Sequence, residues 1–166
     1  PEERKSQGLL LDQSVANNVT LASLPEYSRF GFSERGREMR DSRATLEKLD
    51  MRPPDPRRLV RTFSGGNQQK AVVARWLVRD CKVLLLDEPT RGVDVGARAE
   101  LYSLIHELAA SGVAVVLVSS EVPEVLGLSD RVLVMREGRV LTEAPAKDLT
   151  EASILDMVME GSEVVV

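Results

Sequence analysis

The feature that most constrains this chain is a run of four apolar residues, Val83-Leu84-Leu85-Leu86, that ends abruptly in two acids, Asp87 and Glu88. A continuous apolar run this short, closed by charge, suits a strand buried on both faces, the pattern of a parallel sheet. A second such run, 113–118, follows a stretch at 96–111 in which Leu101, Leu104, Ile105 and Leu108 form one helical stripe, with Gly112 where a helix C-cap belongs. Ahead of the first run, 66–80 reads as a helix with Ala71, Ala74 and Val78 at three- and four-residue spacing. Beyond the second, Pro123 suits the first turn of a short helix to Leu128, 131–135 and 139–141 read as strands about a Glu137-Gly138 turn, and 150–160 reads as a last helix. Strand, helix, strand, helix and further strands predict an α/β fold with a largely parallel sheet.

The N-terminal part has another texture. Ser14 is a predicted N-cap for a helix at 15–24, and Ser33 for a polar, Arg- and Glu-rich helix running to Leu49, which Pro53, Pro54 and Pro56 bring to a stop. Residues 12–62 therefore read as a small helical subdomain, too polar to hold the main core, and 63–166 as the α/β core. The opening Pro1-Glu2-Glu3-Arg4-Lys5 has no start methionine, and the expectation is that it begins partway through a loop of something longer.

Bulk properties exclude some classes. A net charge of −4 gives no electrostatic reason to expect nucleic acid as a partner. The longest apolar run, 113–118, is far short of the ~18 residues of a membrane span, so a link to a membrane is expected only through a partner protein. The single cysteine, Cys81, cannot form an internal disulfide and favours a reducing compartment; its plain role is a small residue before a strand.

Three segments carry chemistry. In Phe63-Ser64-Gly65-Gly66-Asn67-Gln68-Gln69-Lys70, two glycines after a serine expose backbone N–H groups just as a helix begins. That helix end carries roughly half a positive elementary charge, which makes it an anion site suited to a terminal phosphate. A serine-capped helix without a ligand is the plain alternative. In the second segment, Asp87 and Glu88 emerge at the C-terminal end of a strand, where open α/β sheets bind ligands. Asp87 is set to hold Mg²⁺, which favours one or two carboxylates plus waters and phosphates, and Glu88 to polarise an attacking water. A solvated acidic turn is the plain alternative there. In the third, Thr90-Arg91-Gly92-Val93-Asp94, Gly92 permits a tight turn and Asp94 is a candidate contact to a facing subunit; alone it reads as an ordinary loop.

Together and in this order these segments resemble the nucleotide-binding domains of ABC proteins. Ser64-Gly65-Gly66-Asn67-Gln68 looks like the signature motif, Leu84 to Glu88 like the Walker B strand with its catalytic glutamate, and Gly92-Val93-Asp94 like the D-loop. Asn67 to Lys70, Thr90 to Gly96 and Ser119-Ser120-Glu121-Val122-Pro123-Glu124-Val125-Leu126 are similar to bacterial monosaccharide importers of the ribose, xylose and galactose type. In those, two such domains share one polypeptide, and this chain looks like the C-terminal portion of the second. The resemblance implies a P-loop NTPase-like fold, incomplete because its phosphate-loop part is missing, with a small helical subdomain. It implies ATP and Mg²⁺ as ligands, with Ser64, Gly65, Gly66, Asn67, Gln68 and Asp94 at the nucleotide, Asp87 at the metal and Glu88 as the catalytic residue. It also implies a second nucleotide-binding domain paired head to tail, transmembrane permease subunits, a periplasmic sugar-binding protein reached indirectly, no nucleic acid, and a peripheral place on the cytoplasmic face of the membrane.

Three departures stand out. No Gly-x-x-x-x-Gly-Lys-Ser/Thr occurs, and none of the lysines at 5, 48, 70, 82 and 147 follows a glycine. Ser120 falls at the family's switch-histidine position, where serine cannot carry positive charge to a transferring phosphoryl group; the lone histidine, His106, reads as a helix-surface residue. Glu2 or Glu3 falls where the Q-loop glutamine is expected. Two other readings stay open: a non-catalytic or degenerate nucleotide-binding partner module, and a soluble ABC-type ATPase.

Overall fold

A computed structural model describes residues 8–29, 32–79 and 81–159, in two compact units, Pro1–Val116 and Leu117–Val166. The expectations at Glu2 and Glu3 lie outside the described residues.

The first unit opens with α1 (Val15–Thr20), whose predicted cap is present: Ser14 Oγ accepts from the Asn17 N–H at 3.1 Å. The chain then tightens into a 3₁₀ turn over Leu21–Tyr27, shortening the helix expected to reach Leu24. Two short strands, β1 (Ser28–Arg29) and β2 (Phe32–Ser33), pair antiparallel before α2 (Arg35–Lys48). Ser33 is thus not the cap of α2. Its backbone is committed to Ser28, and Glu34, the residue at the cap position, makes no capping side-chain bond. α3 (Gly65–Leu77) is capped by Ser64, and α4 (Val95–Ala110) by Asp94.

Polar side chains knit these helices together. Asn18, fully buried on α1, donates from Nδ2 to Leu10 O (2.9 Å) and accepts the Leu10 N–H on Oδ1 (2.8 Å). Arg75 Nε of α3 donates to Asn18 O at 2.8 Å, and Thr20 Oγ1 to the buried Glu38 of α2 at 2.7 Å. The buried side chains of Asn18, Thr20 and Glu38 are tolerated because they are paired. The apolar fill comes from Val15, Val19, Leu46, Met51 and Val60, all essentially inaccessible.

β3 (Val83–Asp87) and β4 (Ala114–Val118) are hydrogen-bonded neighbours joined through α4, the connection of a βαβ unit. They begin side by side, with the Ala114 N–H donating to Lys82 O at 2.9 Å. Here the structure departs from the expected strand buried on both faces. β3 alternates: Leu84 and Leu86 are buried, whereas Val83 is 57% and Leu85 73% exposed, and Val116 and Val118 on β4 are likewise open. Side chains of a strand point to opposite faces in turn, and among the described residues only one face of this pair has a packing partner.

In the second unit, α5 (Val122–Leu128) precedes the antiparallel hairpin β5 (Arg131–Arg136) and β6 (Arg139–Pro145), and α6 (Glu151–Met159) follows. The predicted two-residue turn carries φ 50° at Glu137 and 75° at Gly138, the left-handed pair that matches hairpin twist. Val132, Val134, Ala146 and Ile154 form its core, flanked by Val122, Val125, Leu126 and Leu149. A two-residue connection dictates antiparallel pairing, which is why the later strands do not extend a parallel sheet.

Candidate nucleotide site

Ser64 ends the approach to α3 in an extended conformation, and its Oγ accepts the Asn67 N–H at a long 3.4 Å. The Asn67 side-chain amide donates back to Ser64 Oγ (3.2 Å) and to Arg52 O (3.3 Å), tying the serine to the loop after α2. Gln68 is turned inward: it is 6% exposed, and Nε2 donates to Phe63 O (3.2 Å) and Val60 O (3.4 Å), bracing the turn that leads into the helix. Its backbone N–H is also used, donating to Ser64 O at 2.9 Å. That leaves the N–H groups of Gly65 and Gly66 without an acceptor among the described residues, at the positive end of a 13-residue helix.

Gly66 has a second reason to be glycine. A Cβ built there would stand 2.5 Å from Ala97 Cβ in the first turn of α4. Only a missing side chain lets the two helix starts approach so closely. Asp94 Oδ1 accepts the Ala97 N–H at 3.0 Å, so this residue, read from sequence as a subunit contact, is fixed at the N-terminus of α4 as its cap. Its exposed side chain remains on the surface.

The acids lie between these two helix starts in sequence. Asp87 closes β3 and is exposed; Glu88 then takes φ 45°, a conformation that costs a non-glycine residue on the order of 1 kcal/mol. That reversal sends consecutive carboxylates in different directions. The turn continues with the Arg91 N–H donating to Glu88 O (3.2 Å) and the Val93 N–H to Thr90 O (2.9 Å), and Gly92 at φ 67° delivers the chain to Asp94. Gln69, Val72 and Trp76 of α3 line one crevice with Leu84, Leu86 and Asp87, so α3 packs alongside β3. The crevice holds about 30 Å³, room for a water or two, and is not itself a nucleotide pocket.

Sequence reading missed Lys70. Its side chain is 6% exposed, and Nζ reaches Glu100 of α4 at 2.8 Å and Asp50 O, just past α2, at 3.3 Å. It pins three elements around the start of α3. No local pattern marks it, because its carboxylate partner lies 30 positions away. His106 is exposed on α4 of the first unit, and in the second unit Ser120 is exposed just ahead of α5. Glu124 of α5 is 3% exposed, with no hydrogen-bond partner for either carboxylate oxygen among the described residues.

As to a metal, no group of three His, Cys, Asp or Glu side chains able to hold one occurs among the described residues. Asp87, an exposed carboxylate at a strand end, fits Mg²⁺ as one hard oxygen ligand among waters and phosphates.

Residues 3–91 match the ABC transporter family. The chain belongs to that family. The match takes in Ser64 to Gln68, Asp87 and Glu88 and ends short of Asp94 and Ser120. The chain is 50% identical over 155 residues to a ribose import ATP-binding protein of Rhodopirellula baltica, spanning 93% of this chain and 30% of that protein. It is 45% identical over 164 residues to an arabinose import ATP-binding protein of Paraburkholderia xenovorans, spanning 98% of this chain and 32% of that one. It therefore spans about a third of the length of the curated relatives it matches. A solved ABC transporter in an inward-facing conformation superposes with a TM-score of 0.78 at 20% identity, over 92% of this chain and 60% of that one, which establishes the ABC fold for the described elements. No helix among the described residues is long and apolar enough to cross a membrane.

Proposed function

We propose that this chain is the signature and Walker B portion of an ATP-hydrolysing subunit that energises sugar import. What supports the reading is the meeting of the α3 and α4 starts at Gly66 and Ala97, with the Gly65 and Gly66 N–H groups unused and Asp87 and Glu88 on the strand that leads to α4. Residues 12–62 form the helical segment ahead of the signature, and 63–166 carry the chemistry.

In this account Ser64, Gly65 and Gly66 meet the terminal phosphate of ATP held by a second, head-to-tail nucleotide-binding domain. Asn67 and Gln68 hold that loop in shape, and Asp94 lies near the facing domain. Asp87 holds Mg²⁺ at the nucleotide of its own domain, where the ion neutralises phosphate charge. Glu88 polarises the attacking water. Serine at 120 supplies no charge there, so the site it serves is the slower of the two. Permease subunits, and through them a periplasmic sugar-binding protein, complete the assembly on the cytoplasmic face of the membrane. Relatives named for ribose and arabinose import support a sugar as the cargo.

The test is ATP hydrolysis by the whole transporter containing this segment. Glu88→Gln is expected to lower turnover about a hundredfold or more at the site it serves, with ATP binding retained, because a positioned base contributes on that order. Unchanged turnover at that site would remove Glu88 from its role. If Glu88→Gln abolished all turnover while the matching change in the other domain had no effect, the assignment of the Ser120 site as the slower one would fail.

A further inference from the structure

Lys70 is a buried charge that the proposed reaction leaves without a task. Its side chain is 6% exposed, whereas that of its partner Glu100 is 64% exposed. Taking an ammonium out of water is costly, and pairing it with a solvated carboxylate returns little. On stability alone an apolar side chain would serve better at this place.

The placement gives the charge a use. Lys70 lies one helical turn beyond Gly66 on α3, and Glu100 one turn beyond Ala97 on α4. The Gly66–Ala97 approach and the Lys70–Glu100 bond (2.8 Å) are therefore successive contacts along one helix pair. One contact alone is a pivot; two, a turn apart, fix the angle between the helices. A second donor of the ammonium reaches Asp50 O at 3.3 Å, in a residue that takes φ 45°. Two residues on, Arg52 O accepts from Asn67 Nδ2 at 3.3 Å, so the turn after α2 is tied to α3 twice. A lysine has donors enough to hold a carboxylate and a carbonyl at once, and a methionine has none.

We propose that Lys70 is a positioning residue for ATP hydrolysis: it locks α3 against α4 and the turn after α2, and so holds the Gly65 and Gly66 N–H groups in line with the terminal phosphate. This rests on the function proposed above, in which those groups meet ATP held by a second domain. Lys70 itself touches no phosphate, because its ammonium is engaged by Glu100 and Asp50 O. The amides meet a phosphate that is bound before it reacts. Misalignment therefore raises KM for ATP more than it lowers kcat.

The test compares Lys70→Met with Glu100→Gln by two readouts: the denaturation midpoint of the chain, and KM and kcat for ATP of the whole transporter containing it. Glu100→Gln keeps an oxygen that accepts from the Lys70 ammonium, so the alignment survives while a buried charge loses its counter-ion. Lys70→Met removes both bonds and leaves no buried charge. The two readouts are therefore expected in opposite order. Lys70→Met raises KM about fivefold or more, the loss of part of a charge-assisted hydrogen bond, with kcat changed less than about twofold. Glu100→Gln raises KM less than about twofold, yet has the lower midpoint. A purely structural role would give both readouts the same order. An unchanged KM in Lys70→Met, an equal rise in both variants, or a Lys70→Met chain that unfolds more readily than Glu100→Gln would overturn the proposal. Ser64→Asp distinguishes this from failure of the function itself. Aspartate also caps a helix but sets a carboxylate against the phosphate, so KM should rise steeply. If Ser64→Asp leaves KM unchanged, the signature reading falls and the proposal with it; if only Lys70→Met does, the proposal alone falls.

Discussion

Gly66→Ala tests the packing that brings the two helix starts together. The new Cβ would sit 2.5 Å from Ala97 Cβ, whereas carbon atoms in contact prefer about 3.5–4.0 Å. The starts of α3 and α4 must therefore separate by roughly 1 Å or more. Overpacking of this kind costs about 1–3 kcal/mol. Alanine returns up to about 1 kcal/mol as the better helix former, and less in a first turn. The net expectation is a loss of about 1–2 kcal/mol, measured by urea denaturation. Ala97→Gly alone should cost about 1 kcal/mol through helix propensity. The double variant moves one methyl group from one helix to the other, so it should be more stable than the two losses summed, by at least about 1 kcal/mol of coupling. A stable Gly66→Ala chain, or strict additivity in the double variant, would refute the claim that this glycine exists for close approach.

Other consequences are equally direct. Glu100→Gln should destabilise the chain by about 1–2 kcal/mol, more than Lys70→Met does, because it leaves a buried ammonium uncompensated whereas Lys70→Met leaves only a solvated carboxylate; the reverse order in denaturation midpoints would contradict the pairing. Asp94→Ala should cost about 1 kcal/mol in the same assay and Asp94→Asn much less, since asparagine also caps. Tyr27 is pushed up to about 12 by burial first and then by the nearby Asp41 carboxylate. The unfolded chain loses that proton near pH 10 while the folded chain keeps it, so stability holds below about pH 10 and falls between there and about pH 12. Tyr27→Phe should flatten that fall, and a tyrosinate absorbance titration showing both tyrosines ionising near pH 10 would contradict it.

Much of the site was legible because it is local. Ser64 with two glycines, and acids closing an apolar run, are patterns within a few residues, and they identify the helix start and the strand end directly. Ser14 was readable for the same reason. Asp94 carries an equally local cap signal, answered by the Ala97 N–H three residues on. What no window of sequence could disclose is pairing at a distance: Gly66 with Ala97, Lys70 with Glu100, Asn18 with Arg75. The buried-strand expectation failed at Val83 and Leu85 because composition reports that a side chain is apolar, not which neighbours are present to cover it. Ser33 shows the converse error, a sound cap residue whose backbone was already engaged with Ser28.

The account turns on the Gly65 and Gly66 N–H groups meeting a nucleotide supplied by another cassette. Amide spectra of the isotope-labelled chain, titrated with an intact ABC cassette, test this directly. The two glycine resonances should shift when Mg²⁺ and a non-hydrolysable ATP analogue are both present, and stay in place with the cassette alone. Unmoved glycine amides in a demonstrably formed, nucleotide-bound complex would contradict it.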